Sequence, residues 1–204
     1  MAEIQLTSVE AFDGLLKPVG DVRPAGVRVR ERSTLALATV MVRKGRRADL
    51  ANRFSDAFGC ALPDAGRRTE GNDLAFVSTG PGAWLACREH GGYEFSESLA
   101  ETLSGLASVT DQSDAFAVLS LSGPRVKAVL AKGVFLDLGD AAFPEGHAAA
   151  TQCGHVGVTL WRRPADEAGD PVYEVAMFRS YAESFWHWLS TSAAEYGLTV
   201  ERAG

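Results

Sequence analysis

Cysteine, histidine and long apolar runs are all scarce in this chain, and each shortage closes off a class of protein. Cys60, Cys87 and Cys153 are its only cysteines. Their odd number and wide separation argue for reduced thiols, read as small buried hydrophobes, over a disulfide framework. Structural zinc sites use C-x₂-C pairs, and catalytic zinc needs three closely placed ligands; neither spacing is present. The histidines, His90, His147, His155 and His187, form no pair at i, i+4. His147 and His155 flank a loop-to-strand entry and read as exposed or satisfied imidazoles, so no metal is expected.

Apolar stretches such as Leu35–Val42 and Ala115–Leu121 are less than half the roughly 20 residues that cross a bilayer, which predicts no transmembrane helix. The opening Met1–Thr7 has neither a basic region nor an apolar core and does not read as a signal peptide, which makes the cytoplasm the expected location. Excess positive charge is missing too. At a net charge of −6, a broad phosphate-neutralising face is not suggested, and nucleic acid is not an expected partner.

The familiar catalytic and nucleotide-binding spacings are also absent. No G-x-x-x-x-G-K-[ST] or G-x-S-x-G occurs, and Gly80-Pro81-Gly82 leads into a strand instead of a helix, so it reads as a hairpin turn. Asp111 and Asp114 are three apart and could act as an acid–base pair, but Asp-Gln-Ser-Asp suits a turn better because these side chains bond to nearby backbone. No catalytic, cofactor-binding or metal-binding residue is assigned.

What is present is the material of a folded protein. The 204 residues are 46% hydrophobic and 23% charged, enough for one large domain or two lobes sharing a core. Residues 1–33 are rich in charge, Gly and Pro without a sustained period, and are expected to form an arm wrapped on a partner or on the body. Residues 34–112 and 113–204 then read as a first and a second α+β lobe. In the first, the apolar strand Leu35–Val42 precedes a helix with Leu50, Phe54, Ala57 and Phe58 on one face and Gly59 as C-cap. A hairpin of Leu74–Ser78 and Ala83–Arg88 follows, then a helix marked by Phe95, Leu99, Leu103 and Leu106, and a polar run Ser108–Asp111.

The second half repeats the order. Strand Phe116–Leu121 precedes a helix opened by Gly123-Pro124 and stopped near Gly133. Strands His155–Trp161 and Val172–Phe178 form a hairpin; Ser180 and Glu183 predict a capping box for a helix reaching about Tyr196, and Leu198–Val200 closes the set. Both halves therefore predict tandem ferredoxin-like βαββαβ lobes with antiparallel-rich sheets. Short echoes, such as Gly105-Leu106-Ala107 against Gly197-Leu198-Thr199, fit a duplication.

Two surfaces are candidates for a partner. Arg43, Lys44, Arg46 and Arg47 form the one dense basic cluster, at a strand-to-helix turn where an anion or an acidic surface could sit. In the last helix, Tyr181, Phe185, Trp188, Leu189 and Ser192 gather on a stripe expected to face the core, which leaves Trp186 on the flank and His187 opposite. Trp186 and His187, with Arg43, Arg46 and Arg47, are the expected partner-facing residues.

Ordered stretches also carry a resemblance. Ser108-Val-Thr-Asp-Gln-Ser-Asp114, Leu119-Ser-Leu-Ser-Gly-Pro124 and Val129–Leu138 resemble the signature of the gamma subunit of heterotetrameric sarcosine oxidase. Gly80–Leu85, Gln152–Trp161 and Arg179–Leu189 fall in the same order, so the likeness runs from about residue 33 to 197. It implies a non-catalytic accessory subunit of a cytoplasmic flavoenzyme that oxidatively demethylates sarcosine to glycine and passes the one-carbon unit to tetrahydrofolate. Alpha, beta and delta subunits would be its partners. FAD, FMN, NAD and tetrahydrofolate would belong to alpha and beta, and zinc to delta, with no cofactor in this chain. The implied fold is similar to the folate-binding domain of the glycine-cleavage aminomethyltransferase. That enzyme carries an acid in a strand resembling Cys153–Leu160, where this chain has none, so no catalytic residue transfers. Two alternatives stay open: an independent folate-binding aminomethyltransferase-like protein, and the equivalent subunit of an N-methylglutamate dehydrogenase.

Overall fold

Alternation of side chains along the strands sorts this chain into four layers, two sheets face to face with helices on both outer surfaces. The structure, a computed structural model, describes residues 9–201. The reading of Met1–Thr7 lies outside the described residues. A first strand, β1 (Val27–Glu31), is followed by β2 (Leu35–Val42), α1 (Arg47–Phe58), β3 (Arg68–Gly71), β4 (Leu74–Gly80), β5 (Ala83–Glu89), α2 (Phe95–Thr102) and β6 (Ala107–Asp111). The second half contains β7 (Phe116–Ser122), α3 (Val126–Leu130), β8 (Ala148–Cys153), β9 (Val156–Arg163), β10 (Val172–Phe178), α4 (Ala182–Ala193) and β11 (Leu198–Val200).

The first sheet runs β3-β4-β5-β2-β6 and the second β11-β1-β7-β10-β9-β8. Every pairing is antiparallel except β1 with β11. Set aside β3 and β8, and the two sheets repeat one βαββαβ order, β4-β5-β2-β6 against β9-β10-β7-β11, with β1 inserted between β7 and β11. The α+β, antiparallel-rich architecture expected from the repeated element order is thus present.

That inserted strand comes from the segment expected to be an arm. Val27 and Val29 are fully buried, and β1 pairs with strands on both sides. Only five residues alternate, Val-Arg-Val-Arg-Glu, which is too short a period to stand out among the neighbouring Gly and Pro. Phe12 also enters the core at 2% exposure, and Val19 exchanges both backbone hydrogen bonds with Leu198 at 3.0 and 2.8 Å.

On the outer face of the first sheet, Ala36, Ala38, Val40, Phe76 and Trp84 pack against Leu50, Phe54 and Phe58 of α1 and Phe95 and Leu99 of α2. The i, i+4, i+8 spacing of the α1 trio makes one buried stripe, and each such side chain contributes about 1.5–3 kcal/mol on burial. Gly59 ends α1 in a left-handed conformation, φ 65°, and its N–H bonds to the Ser55 carbonyl. Leu119, Leu121, Val158, Leu160, Tyr173 and Val175 similarly face α3 and α4. Residues one step along the same strands, Leu37, Val77, Leu85, Val118 and Ala176, fill the seam between the sheets.

Two helix starts differ from expectation. Helix α3 begins at Val126, with Arg125 as N-cap, so Gly123-Pro124 belongs to the preceding turn. The capping box at Ser180 and Glu183 does not form. Residues Arg179–Tyr181 make a 3₁₀ turn instead, and Tyr181, which gives no side-chain cap, precedes α4. Further along α4, the Trp188 ring lies against two glycine backbones. A Cβ on Gly154 would stand 2.3 Å from Trp188 Cγ, and Gly154 already holds φ +55°. Gly154→Ala is therefore expected to destabilise by about 1–3 kcal/mol, read as a lowered Tm. An unchanged melting curve would show that Trp188 is free to move away.

Candidate functional site

At one end the seam between the sheets is apolar, and towards the other its inward positions become charged. The period of two puts Trp161 and Arg163 of β9 on the inner face, Glu174 of β10 beside them, Arg68 and Glu70 of β3 opposite, and Cys87 and Glu89 on β5. Trp161 and Glu174 are direct cross-strand partners. Arg32, immediately after β1, completes a cleft of about 330 Å³ whose apolar wall includes Leu35, Leu74 and Ala75.

Glu174 is the centre of this cluster. Its side chain is 4% exposed, and it accepts hydrogen bonds from Trp161 Nε1 at 2.7 Å and Arg163 Nη1 at 3.3 Å, while Arg32 Nη1 closes an ion pair on Oε1. Arg32 also reaches Glu89, whose other oxygen accepts the Thr34 hydroxyl at 2.7 Å. Arg68, 7% exposed in its side chain, bonds to Glu70 at 2.5 Å. The Arg68 partner holds the Glu70 carboxyl below its usual range. At Glu89 burial opposes ionisation, but the Thr34 and Arg32 hydrogen bonds win and lower it as well. Arg163 is pushed down by burial first, then by the neighbouring charges of Arg68 and Arg32.

Burial pushes the Cys87 thiol in the same cleft up to about 12, outweighing the nearby arginines. Cys153, buried elsewhere, is likewise pushed up to about 12. Both behave as small core side chains. The cleft therefore holds clamped carboxylates and a protonated thiol, an arrangement built to fix charges in place.

The expected site residues are distributed over both lobes. Arg43, Arg46 and Arg47 sit together, exposed, at the β2–α1 turn. Arg46 pairs with Asp49 at 3.0 Å; Arg47 reaches Asp64 at 3.2 Å and lies 5.6 Å above the Trp84 ring. On α4, His187 is exposed as expected. Trp186 is not on an open flank: it is 9% exposed and part of the second-lobe core, while Trp188 is only half-buried. The buried face of α4 is centred on Leu189, rotated from the stripe read in the sequence. Asp111 serves the turn, accepting from the Ser113 N–H and hydroxyl at 2.9 and 2.8 Å.

Against this geometry, comparison with known proteins is specific. The profile described as "Sarcosine oxidase, gamma subunit family" matches residues 45–195. This chain belongs to the sarcosine oxidase gamma subunit family. Sarcosine oxidase subunit gamma from Corynebacterium sp. (strain P-1) is 29% identical over 145 residues, covering 70% of this chain and 69% of that protein. The subunit of the same name from Arthrobacter sp is 30% identical over 142 residues, covering 69% and 68%. In fold, the chain is similar to a chain of the heterotetrameric sarcosine oxidase from Corynebacterium sp. U-96 in complex with pyrrole 2-carboxylate, with TM-score 0.71, 24% identity and coverage of 87% and 88%. It is also similar to the glycine cleavage system aminomethyltransferase T from Bartonella henselae, with TM-score 0.62, 16% identity and coverage of 88% of this chain and 48% of that one. These likenesses agree with the duplicated α+β fold.

Sequence reasoning missed the family member's charged cleft altogether. Its one local signal is Glu174, a carboxylate inside the otherwise apolar-aromatic run Val172-Tyr-Glu-Val-Ala-Met-Phe178. Arg32, Arg68 and Arg163 come from three separate segments, and only the sheet pairing brings them together.

Proposed function

We propose that this chain is a non-catalytic gamma subunit of a heterotetramer that oxidatively demethylates sarcosine to glycine, with the one-carbon unit passed to tetrahydrofolate. The observation that carries the reading is membership of the gamma-subunit family across residues 45–195. The internal chemistry is consistent with it. Glu174 is held by Arg32, Arg163 and Trp161, and the Cys87 and Cys153 thiols are raised far above neutrality, which leaves these groups poor bases and nucleophiles. Flavin, NAD, folate and zinc chemistry would then reside in alpha, beta and delta partners.

Assembly needs a surface, and two exposed features support one. The Arg43, Arg46 and Arg47 turn suits an acidic partner face, beside Met41 at 56% exposure. Phe178, 51% exposed, stacks on Phe116 with ring centroids 4.6 Å apart, and Tyr181 is nearby in sequence at 47% exposure. Exposed aromatic side chains of this size are typical subunit anchors.

The test is direct. Purified alone, the chain is expected to be colourless, to show no sarcosine-dependent oxygen uptake or NAD reduction, and to co-purify with its alpha partner when the two are co-expressed. A stoichiometric flavin spectrum would overturn this reading, and saturable heat on titration with tetrahydrofolate would favour a folate-binding protein instead.

A further inference from the structure

The inter-sheet cleft is charged in two layers of opposite sign. Its floor carries the Arg32, Arg68 and Arg163 guanidiniums against a single deeply buried carboxylate, Glu174. At its rim stand three acids, Glu70 at 56% and Glu89 at 45% side-chain exposure, and the exposed Asp73. Among the described residues, Arg68 Nε and Arg163 Nε at the floor have no hydrogen-bond partner, as is also true of Arg162 Nε outside the cleft. Each guanidinium has five N–H donors, and the pairs of Arg68 with Glu70 and of Arg163 with Glu174 use only part of them, so the floor keeps donor capacity for a further acceptor.

We propose that this cleft binds a small zwitterion of the amino-acid class, its carboxylate on the arginine floor and its ammonium among the acidic rim. A carboxylate matches the planar fork of a guanidinium in a way that a single hydroxyl or carbonyl does not. Arg68 is the partner that can be freed: among the described residues its one side-chain ligand is Glu70, a mostly exposed residue two positions along the same strand that can swing out. On release, Glu70 is free to receive the ligand's ammonium. The rim also sets the selectivity, because three acids at the entrance disfavour a plain anion that brings no positive charge. Leu35, Leu74, Ala75 and the Trp161 indole form the apolar wall and suit an apolar side chain. A cavity of about 330 Å³ accommodates a ligand of that size.

The experiment is calorimetric titration of the full chain with three probes sharing one carbon skeleton: L-leucine, 4-methylpentanoate, which lacks the ammonium, and 3-methylbutylamine, which lacks the carboxylate. Leucine is expected to bind saturably and at least about tenfold more tightly than either fragment, since each fragment leaves one charged layer unpaired. Arg68→Met should remove leucine binding. Because Arg68 is buried and its loss can unfold the chain, the deciding variant is Glu70→Gln at the exposed rim. It is expected to weaken leucine while strengthening 4-methylpentanoate, so that the two approach equal affinity. The proposal is overturned if leucine gives no saturable heat up to its solubility limit, if 4-methylpentanoate binds the unmodified chain as tightly as leucine, or if Glu70→Gln leaves their ratio unchanged.

Discussion

Glu174→Ala is expected to cost about 3–5 kcal/mol of folding stability, because it strips the anion from an almost dry cluster and leaves the cations behind. Among the described residues, Arg32 loses one of its two carboxylate partners and Arg163 its one ion pair, while the Trp161 indole N–H, in a residue 1% exposed, is left without an acceptor. In a chain of this length such a loss lowers Tm by roughly 10 °C. Glu174→Gln should fall between, since its amide oxygen still accepts from Trp161 but balances neither guanidinium. Glu89→Gln is the control. Its side chain is 45% exposed, and an ion pair screened to that extent contributes about 1 kcal/mol or less. Equilibrium denaturation of the three variants makes the comparison; if Glu174→Ala is as mild as Glu89→Gln, the cleft is wet enough to screen its charges and the buried-cluster account is wrong.

How much of this was legible in the sequence follows from how local each signal is. The stripe Leu50, Phe54, Phe58 and the cap Gly59 announce α1 because both its buried face and its stop are written within twelve consecutive residues. The hairpin of β4 and β5 is legible for the same reason, its turn being marked by Gly80-Pro81-Gly82. Strands β3 and β8 are not. Arg-Thr-Glu-Gly has no apolar residue, and Ala-Ala-Ala-Thr-Gln-Cys has little β propensity; each is a strand because an edge of β4 or β9 offers it hydrogen bonds. The two meet as well, Arg68 N–H bonding to the Gly146 carbonyl and Ala148 N–H to that of Gly66, which ties the lobes together at one edge. The basic turn was readable as a cluster because its arginines are sequence neighbours. The arginine floor of the cleft was not, because Arg32, Arg68 and Arg163 become neighbours only after two sheets have formed and stacked.

The last helix shows where periodicity reaches its limit, and it yields a second large effect. At about 100° per residue, Trp186 falls roughly 60° from Leu189 and Trp188 roughly 100° on the opposite side. A stripe centred on Phe185 buries Trp188; one centred on Leu189 buries Trp186. The sequence permits both, and the choice is made by what faces the helix. On the Trp188 side, Gly133 and Gly154 present bare backbone to a ring that stays only half-buried, whereas Trp186 joins the same buried cluster as Phe185, Leu189 and Ala193. Trp186→Ala is therefore expected to cost about 3–5 kcal/mol, the usual penalty for emptying a large aromatic site in a packed core. Trp188→Ala should cost roughly 1–2 kcal/mol, since part of that ring is already hydrated. His187, exposed between them, separates stability from assembly: His187→Ala should leave the melting curve in place, so any loss of co-purification with the proposed partner subunit in that variant reports on contact and not on unfolding. Denaturant midpoints in the reverse order, with Trp188→Ala the more damaging, would mean that α4 sits rotated by about 40° and that Trp186 faces outward after all.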